Sequence, residues 1–409
     1  MATRLCDVPD LPPPPRRRSG LAGVALAAAL TFATGIAATL PSTAVDATTP
    51  HVTRLSDAPV AGGCSTPHLP SPVDVATAAR LERVLDRIDA GLPVPGIGVA
   101  VVFPDGRTWS GSRGYAEVKR KTPVTADTAF AFASAGKTAI AALLLRAADA
   151  RELALTDRVA DLLPDTPINS RATVADLLRH RAGLGDYLTS GVSEAAMRRD
   201  PDTLLNPNDY LKTAGAPRAP GSFDYSNTGY LFAAALLEMK GEQYLDRLRR
   251  ELLEPYALCS IGNPGIAPVS NLIARGYNDV SGASPVAKDP TMGPGLATLA
   301  LAGPAGGLVG TPVDLARMGA VLMGDHFLDA TTRARAFPDT TGTYGLGFFR
   351  YAIAGRAVYG HDGRLGGARS AVRFDPVSGI AVAVMFNRGD PSANDAAALL
   401  FAAALDAAR

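Results

Sequence analysis

Cysteine is scarce. Cys6, Cys64 and Cys259 are the only three in 409 residues, with no Cys-x-x-Cys pair and no metal-ligand spacing. That excludes a zinc-stapled fold and a dithiol redox motif. Charge is thin as well: charged residues make up 19% of the chain, below the usual quarter or so. The 40 basic and 39 acidic side chains leave a net charge of +1, so nothing marks a nucleic-acid partner. No Gly-x-Ser-x-Gly elbow occurs, which argues against a Ser-His-Asp hydrolase of the usual α/β kind. Gly136-Lys137-Thr138 mimics the end of a phosphate-binding loop, but position 131 is alanine where that motif needs glycine. No internal repeat is visible.

What is present begins with a targeting signal. Arg16-Arg17-Arg18 precedes an apolar run over 21–40, and Ala44 or Ala47 follows as a cleavage position. Residues 1–47 therefore read as an export signal or, since the run is nearly long enough to span a bilayer, as an uncleaved N-terminal anchor. Either address puts the protein outside the cytoplasm, secreted or associated with the cell envelope. Residues 48–72 read as a flexible linker. Export would remove Cys6, leaving Cys64 and Cys259 either as a disulfide or as two separate thiols.

From residue 73 the pattern becomes that of a folded domain. Leu81, Val84, Leu85 and Ile88 fall at helical spacing over 74–90. Residues 97–103 and 108–118 read as two strands joined at Pro104-Asp105-Gly106, the pattern of a β-hairpin. Thr173-Val174-Ala175-Asp176 resembles a capping box opening a short helix, with His180 taken as a structural residue capping its end. Further helices are expected over 231–240 and 244–253, and long loops over 206–221 and 263–307. Strands return at 345–351, 357–360, 368–374 and 380–387, and Ser392-Ala393-Asn394-Asp395 caps a closing helix over 396–408. The outline predicts an α+β fold. An antiparallel sheet (about 73–133 and 304–409) is flanked by N- and C-terminal helices, an all-helical part (about 134–303) is inserted, and a cleft lies between the two.

The chain is organised around Ser134-Ala135-Gly136-Lys137, which runs into an apolar helix. Three-residue spacing puts Lys137 on the same face as Ser134, one turn on. A serine hydroxyl needs an adjacent base to become a nucleophile, and lysine serves if burial lowers its pKa. At a helix N-terminus, free backbone N–H groups also favour developing negative charge.

Two later stretches complete a pattern: Tyr225-Ser226-Asn227 in a polar turn, and His361-Asp362-Gly363 where a strand gives way to a glycine-rich connection. Ser-x-x-Lys, then Tyr-x-Asn, then a basic residue followed by x-Gly resembles the three-part signature of the serine beta-lactamase and penicillin-binding family. Within that family the chain looks most like the branch of class C beta-lactamases, D-alanyl-D-alanine carboxypeptidases and related esterases. Supporting stretches are Asp176 to Leu184, Pro304 to Leu308 and Tyr344-Gly345-Leu346-Gly347. The resemblance implies a beta-lactamase/transpeptidase-like fold and an acyl-enzyme on Ser134. Lys137 and Tyr225, its pKa lowered by the neighbouring cation, would move the proton. Asn227 would position Lys137 and hold the acyl side chain. The backbone N–H groups of Ser134 and Arg364 would form an oxyanion hole, and His361 would help keep Tyr225 ionisable.

One residue departs from the pattern. Asp362 stands where relatives that bind a substrate carboxylate usually carry threonine or serine. Either Asp362 points away, with Arg364 or Arg350 supplying positive charge, or the substrate lacks that carboxylate. The expected activity is that of a serine hydrolase, D-alanyl-D-alanine carboxypeptidase-like or esterase-like. The alternatives are a beta-lactamase and a catalytically idle sensor of wall fragments. The substrate would be a small molecule or a peptidoglycan peptide, and no cofactor is expected.

Overall fold

The computed structural model describes residues 71–263, 272–277, 295–390 and 392–408. The targeting segment, most of the linker and Cys64 lie outside the described residues. Cys259 is disulfide-bonded.

The first helix, α1 (Val75–Gly91), starts where Asp74 caps it: its carboxylate accepts from the Thr77 N–H at 2.9 Å and the Thr77 hydroxyl at 2.7 Å. Leu81, Val84, Leu85 and Ile88 are its buried stripe, as the spacing requires. Strands β1 (Gly96–Val102) and β2 (Thr108–Glu117) form the expected hairpin, and β3 (Thr122–Pro123) pairs beyond β2. A short pair, β4 (Phe130–Ala131) with β5 (Val309–Gly310), leads into a 3-10 turn over Ala133–Gly136 and then α2 (Lys137–Asp149).

The helical part comprises α3 (Val159–Leu162), α4 (Val174–Leu178), α5 (Gly191–Arg199), α6 (Asn227–Leu237), α7 (Tyr244–Leu248) and α8 (Leu296–Ala302). The capping box at Thr173 and Asp176 is formed in both directions. The two stretches expected to be loops carry a 3-10 helix at Pro207–Ala214 and α8. Then come α9 (Pro312–Met323), α10 (Ala330–Ala336), β6 (Phe349–Ile353), β7 (Arg356–Leu365), β8 (Ala368–Phe374), β9 (Ala381–Phe386) and α11 (Asn394–Ala407).

The main sheet runs β3-β2-β1-β9-β8-β7-β6, antiparallel throughout, so the first and last strands of the domain meet at its centre. Both faces are covered. Ile97, Val99, Val101, Val382, Val384 and Phe386 pack under α1 and α11. Ala100, Val102, Ala381, Ala383 and Met385 join the side chains of α2, α6 and α9. Burial on both faces is why β1 and β9 read as continuous apolar runs rather than alternating ones. The α2 helix is buried from Lys137 to Leu145, as an apolar surface all round it demands. Among the described residues no helix is long and apolar enough to cross a membrane.

Three local readings are corrected. His361-Asp362-Gly363 is not at a strand end: β7 continues to Leu365 and turns at Gly366. Glycine there marks crowding inside the strand, since a Cβ on Gly363 would fall 2.2 Å from Ser370 Oγ and 2.3 Å from the Phe132 carbonyl. The strand expected over 345–351 begins only at Phe349. Finally, Ala393 is the residue that precedes α11, and Asn394 turns its side chain to Arg373 instead.

Candidate active site

Ser134 sits in the 3-10 turn between β4 and α2. The preceding residue, Ala133, is fully buried with φ of +47°, a left-handed conformation that an alanine holds only under constraint. The constraint is visible. The Phe132 N–H donates to the Leu308 carbonyl at 2.8 Å, and the Phe132 carbonyl accepts from Ser370 Oγ at 2.6 Å. Gly363 of β7 lies against this same corner, so the edge of the sheet fixes the nucleophile's turn.

Lys137, the first residue of α2, is wholly buried. Its Nζ is 3.0 Å from Ser134 Oγ, 2.7 Å from Asn227 Oδ1 and 2.5 Å from the Ala305 carbonyl. Burial pushes its pKa from 10.5 down to about 7, with the nearby Asp186 charge opposing. Near neutral pH this amine is therefore available as a base.

Asn227 opens α6, and the residue before it, Ser226, makes no side-chain cap. Asp186, from the loop after α4, takes over that task. Its Oδ2 accepts from the Asn227 backbone N–H at 3.2 Å and from Nδ2 at 2.7 Å, while Oδ1 accepts from the Leu188 and Thr189 N–H groups. A carboxylate at a helix N-terminus is favoured electrostatically.

The Tyr225 ring lies 4.0 Å from the His180 ring, tilted by 31°, and Lys137 Nζ is 5.1 Å from the phenol centroid. The Tyr225 hydroxyl is buried and has no well-formed hydrogen bond among the described residues. Burial drives its pKa well above the ordinary value. The neighbouring Ser134 hydroxyl opposes that rise without overcoming it. The expected lowering by a neighbouring cation is thus overturned: desolvation of the phenolate outweighs it, and Tyr225 is a neutral phenol.

His361 is also neutral, its pKa lowered to about 3 by burial and by Lys137. Its Nδ1 is 2.6 Å from the Asp362 carbonyl, an acceptor only, so the proton is on Nδ1. Nε2 then accepts from the Tyr344 hydroxyl at 3.1 Å, and Tyr344 in turn lies 3.0 Å from the Tyr230 hydroxyl. His361 faces Tyr225 edge-on at 6.4 Å but brings no charge to keep it ionised.

Asp362, one residue on, emerges on the opposite face of β7. Its carboxylate accepts from Arg373 Nη2 and from the Tyr351 hydroxyl at 2.9 Å, and buried Arg373 reaches on to Asn394 of α11. The Asp362 carboxylate is therefore turned toward Arg373 with its charge matched, although the residue still borders the cleft. Arg364 is exposed and, with Arg369 and Arg198, lines the cleft; Arg350 is not among the lining residues. The cleft holds about 1380 Å³ and brings Ser134, Tyr225, Asn227, His361, Asp362, Gly363 and Arg364 together.

This arrangement matches a known family over most of its length. A profile described as Beta-lactamase matches residues 81–406. The chain belongs to the beta-lactamase family. It is similar to penicillin-binding protein 4 of Amycolatopsis lactamdurans, 29% identical over 323 residues covering 72% of this chain and 81% of that one. It is also similar to a D-aminopeptidase of Cereibacter sphaeroides, 28% identical over 353 residues, covering 80% of this chain but only 63% of the longer relative. Among solved structures, the D-amino acid amidase of Ochrobactrum anthropi SV3 in complex with D-phenylalanine superposes with a TM-score of 0.69 at 25% identity. That match covers 81% of this chain and 99% of the amidase. The chain is thus a hydrolase of the beta-lactamase and penicillin-binding-protein type.

Within this beta-lactamase fold, sequence reasoning missed three participants. Asp186 lies two residues beyond the 176–184 stretch. Tyr344 stands in the sequence only within the supporting Tyr344–Gly347 stretch, and Arg373 carries no motif at all. His180 does not cap α4 through its ring. Instead its Nδ1 accepts from the Ser226 N–H at 3.1 Å, and the ring supports Tyr225.

Proposed function

We propose that this chain hydrolyses peptide or amide bonds of D-amino acids, in the manner of a D-alanyl-D-alanine carboxypeptidase, through an acyl-enzyme on Ser134. The observation that carries the reading is the buried Lys137 Nζ, 3.0 Å from Ser134 Oγ, with its pKa brought to about 7. Lys137 accepts the Ser134 proton as Oγ bonds to the acyl carbon. The carbonyl oxygen collects negative charge toward the backbone N–H groups of Ser134 and Arg364. As the C–N bond breaks, Tyr225 gives its phenolic proton to the leaving amine and is reprotonated from the Lys137 ammonium. Water then cleaves the ester by the reverse route, restoring Ser134.

Asp362 has its charge matched by Arg373, and Arg198 and Arg364 line the cleft beside Arg369, which is paired with Asp390; Asp186, Glu194 and Asp224 line it as well. The cleft arginines support a peptide with a free C-terminus. The D-aminopeptidase and D-amino acid amidase relatives support the D configuration. The Arg16–Arg18 and 21–40 pattern supports export, where such wall peptides are found; N-terminal sequencing of the mature protein tests that address.

The function is tested with a hydrolysis panel of a D-Ala-D-Ala peptide, D-phenylalanine amide, a p-nitrophenyl ester and nitrocefin, together with fluorescent-penicillin labelling of wild type and Ser134→Ala. Turnover of the D-peptide or the D-amide, abolished in Ser134→Ala, is expected. Turnover of nitrocefin or the ester alone would replace this reading with a beta-lactamase or an esterase. Absence of any Ser134-dependent adduct or turnover would leave only a binding role.

A further inference from the structure

We propose that Asp186 is a positioning residue that keeps the Lys137 lone pair aimed at Ser134, by fixing which way the Asn227 amide faces. The inference rests on the reading of Lys137 as the base. As an ammonium, Lys137 donates to all three of its neighbours, Ser134 Oγ, Asn227 Oδ1 and the Ala305 carbonyl. As a neutral amine it has two N–H bonds and one lone pair. The Ala305 carbonyl can only accept, so one N–H must go there. The other goes to whichever remaining neighbour accepts, and the lone pair is left for the third. With Asn227 Oδ1 facing Lys137, that third neighbour is Ser134, whose O–H then donates to Nζ. With the amide turned over, Asn227 Nδ2 would donate to Nζ and the lone pair would be lost to Ser134.

Among the described residues, Asp186 is the side chain that decides between the two orientations. Both of its carboxylate oxygens accept from backbone N–H groups, so the atom 2.7 Å away on Asn227 is the donor Nδ2, and Oδ1 faces Lys137. The carboxylate is itself held by the Leu188 and Thr189 N–H groups and by the Asn227 backbone N–H. It is therefore saturated with donors and cannot turn to release the amide. An asparagine at 186 would present an NH₂ to one of these donor sets, and turning Asn227 over would relieve part of that conflict.

The test compares wild type, Asp186→Asn and the exchanged pair Asp186→Asn/Asn227→Asp by kcat/KM against pH, on whichever panel substrate the wild type turns over. The exchanged pair cannot suffer from a turned amide, because both terminal atoms at 227 are oxygens. At least a fivefold fall in plateau kcat/KM is expected for Asp186→Asn, with recovery to within fivefold of wild type in the exchanged pair. The acid limb is expected to order with Asp186→Asn lowest, wild type between, and the exchanged pair highest, as negative charge leaves Lys137 or moves closer to it. A smaller fall in Asp186→Asn, no recovery in the exchanged pair, or another order of the limbs would overturn the proposal. Should Asp186→Asn not fold, the exchanged pair decides: a plateau within fivefold of wild type supports it and a lower one refutes it. If wild-type turnover is unchanged in Lys137→Met, the underlying reading of the base has failed instead.

Discussion

Replacing Lys137 by methionine, and following the wild type across pH, probes the step on which the chemistry depends. An ordinary lysine at pH 7 is neutral in only about 3 molecules in 10⁴, whereas one brought to about 7 is neutral in roughly half, so burial makes the base about 10³-fold more available. Lys137→Met keeps the length and apolar stem but removes the acceptor of the Ser134 proton, and a fall of about 10²–10⁴ in kcat/KM is expected. The assay is p-nitrophenyl ester hydrolysis between pH 5 and 9. The active form is the neutral amine, so wild-type kcat/KM falls as pH drops through about 7, and rises to a plateau above it. Folding carries the same signature. The unfolded chain holds the Lys137 proton up to its ordinary pKa while the native chain has released it by about 7, so wild-type stability gains relative to Lys137→Met as pH rises from 7 toward 9, by up to about 1.4 kcal/mol per pH unit. A wild-type profile flat down to pH 5.5, or Lys137→Met retaining more than a tenth of wild-type activity at pH 8, would refute the reasoning.

Gly363→Ala would place a Cβ 2.2 Å from Ser370 Oγ and 2.3 Å from the Phe132 carbonyl. A loss of about 1–3 kcal/mol in urea unfolding is expected, with a roughly 100-fold fall in kcat/KM as the Ser134 turn is displaced; wild-type activity would show that this corner does not hold the nucleophile. Arg373→Met leaves Asp362 without its buried cation and should cost about 1–2 kcal/mol, since the Asp362 carboxylate is partly exposed and keeps Tyr351. Adding Asp362→Asn should restore part of that loss in thermal melts. His180→Phe preserves a ring beneath Tyr225 but strands the Ser226 N–H, for an expected loss of about 1–3 kcal/mol by denaturant titration.

Local physics was written plainly in this chain. The stripe Leu81, Val84, Leu85, Ile88 gives α1 because four side chains at helical spacing need one apolar face to bury. Thr173 and Asp176 form a capping box because each satisfies the other's backbone within three residues. Pro104-Asp105-Gly106 turns the hairpin of β1 and β2 by the demands of the turn alone. Ser134 with Lys137, Tyr225 with Asn227, and His361 with Gly363 were equally legible, since short fixed spacings carry their chemistry, and the structure brings all six to one place.

Long-range packing decided the rest. Glycines that read as a strand end are in the middle of β7, because what excludes a side chain at Gly363 is Phe132, far away in sequence. Which way Asp362 points follows from the phase of β7 against Arg373, and the orientation of Asn227 follows from Asp186 in another loop. The charge states were the least legible of all. A sequence shows Lys137, Tyr225 and His361 as titratable groups. Only the enclosed cleft wall, which withholds water from all three, makes one a free amine near neutral pH and holds the other two neutral.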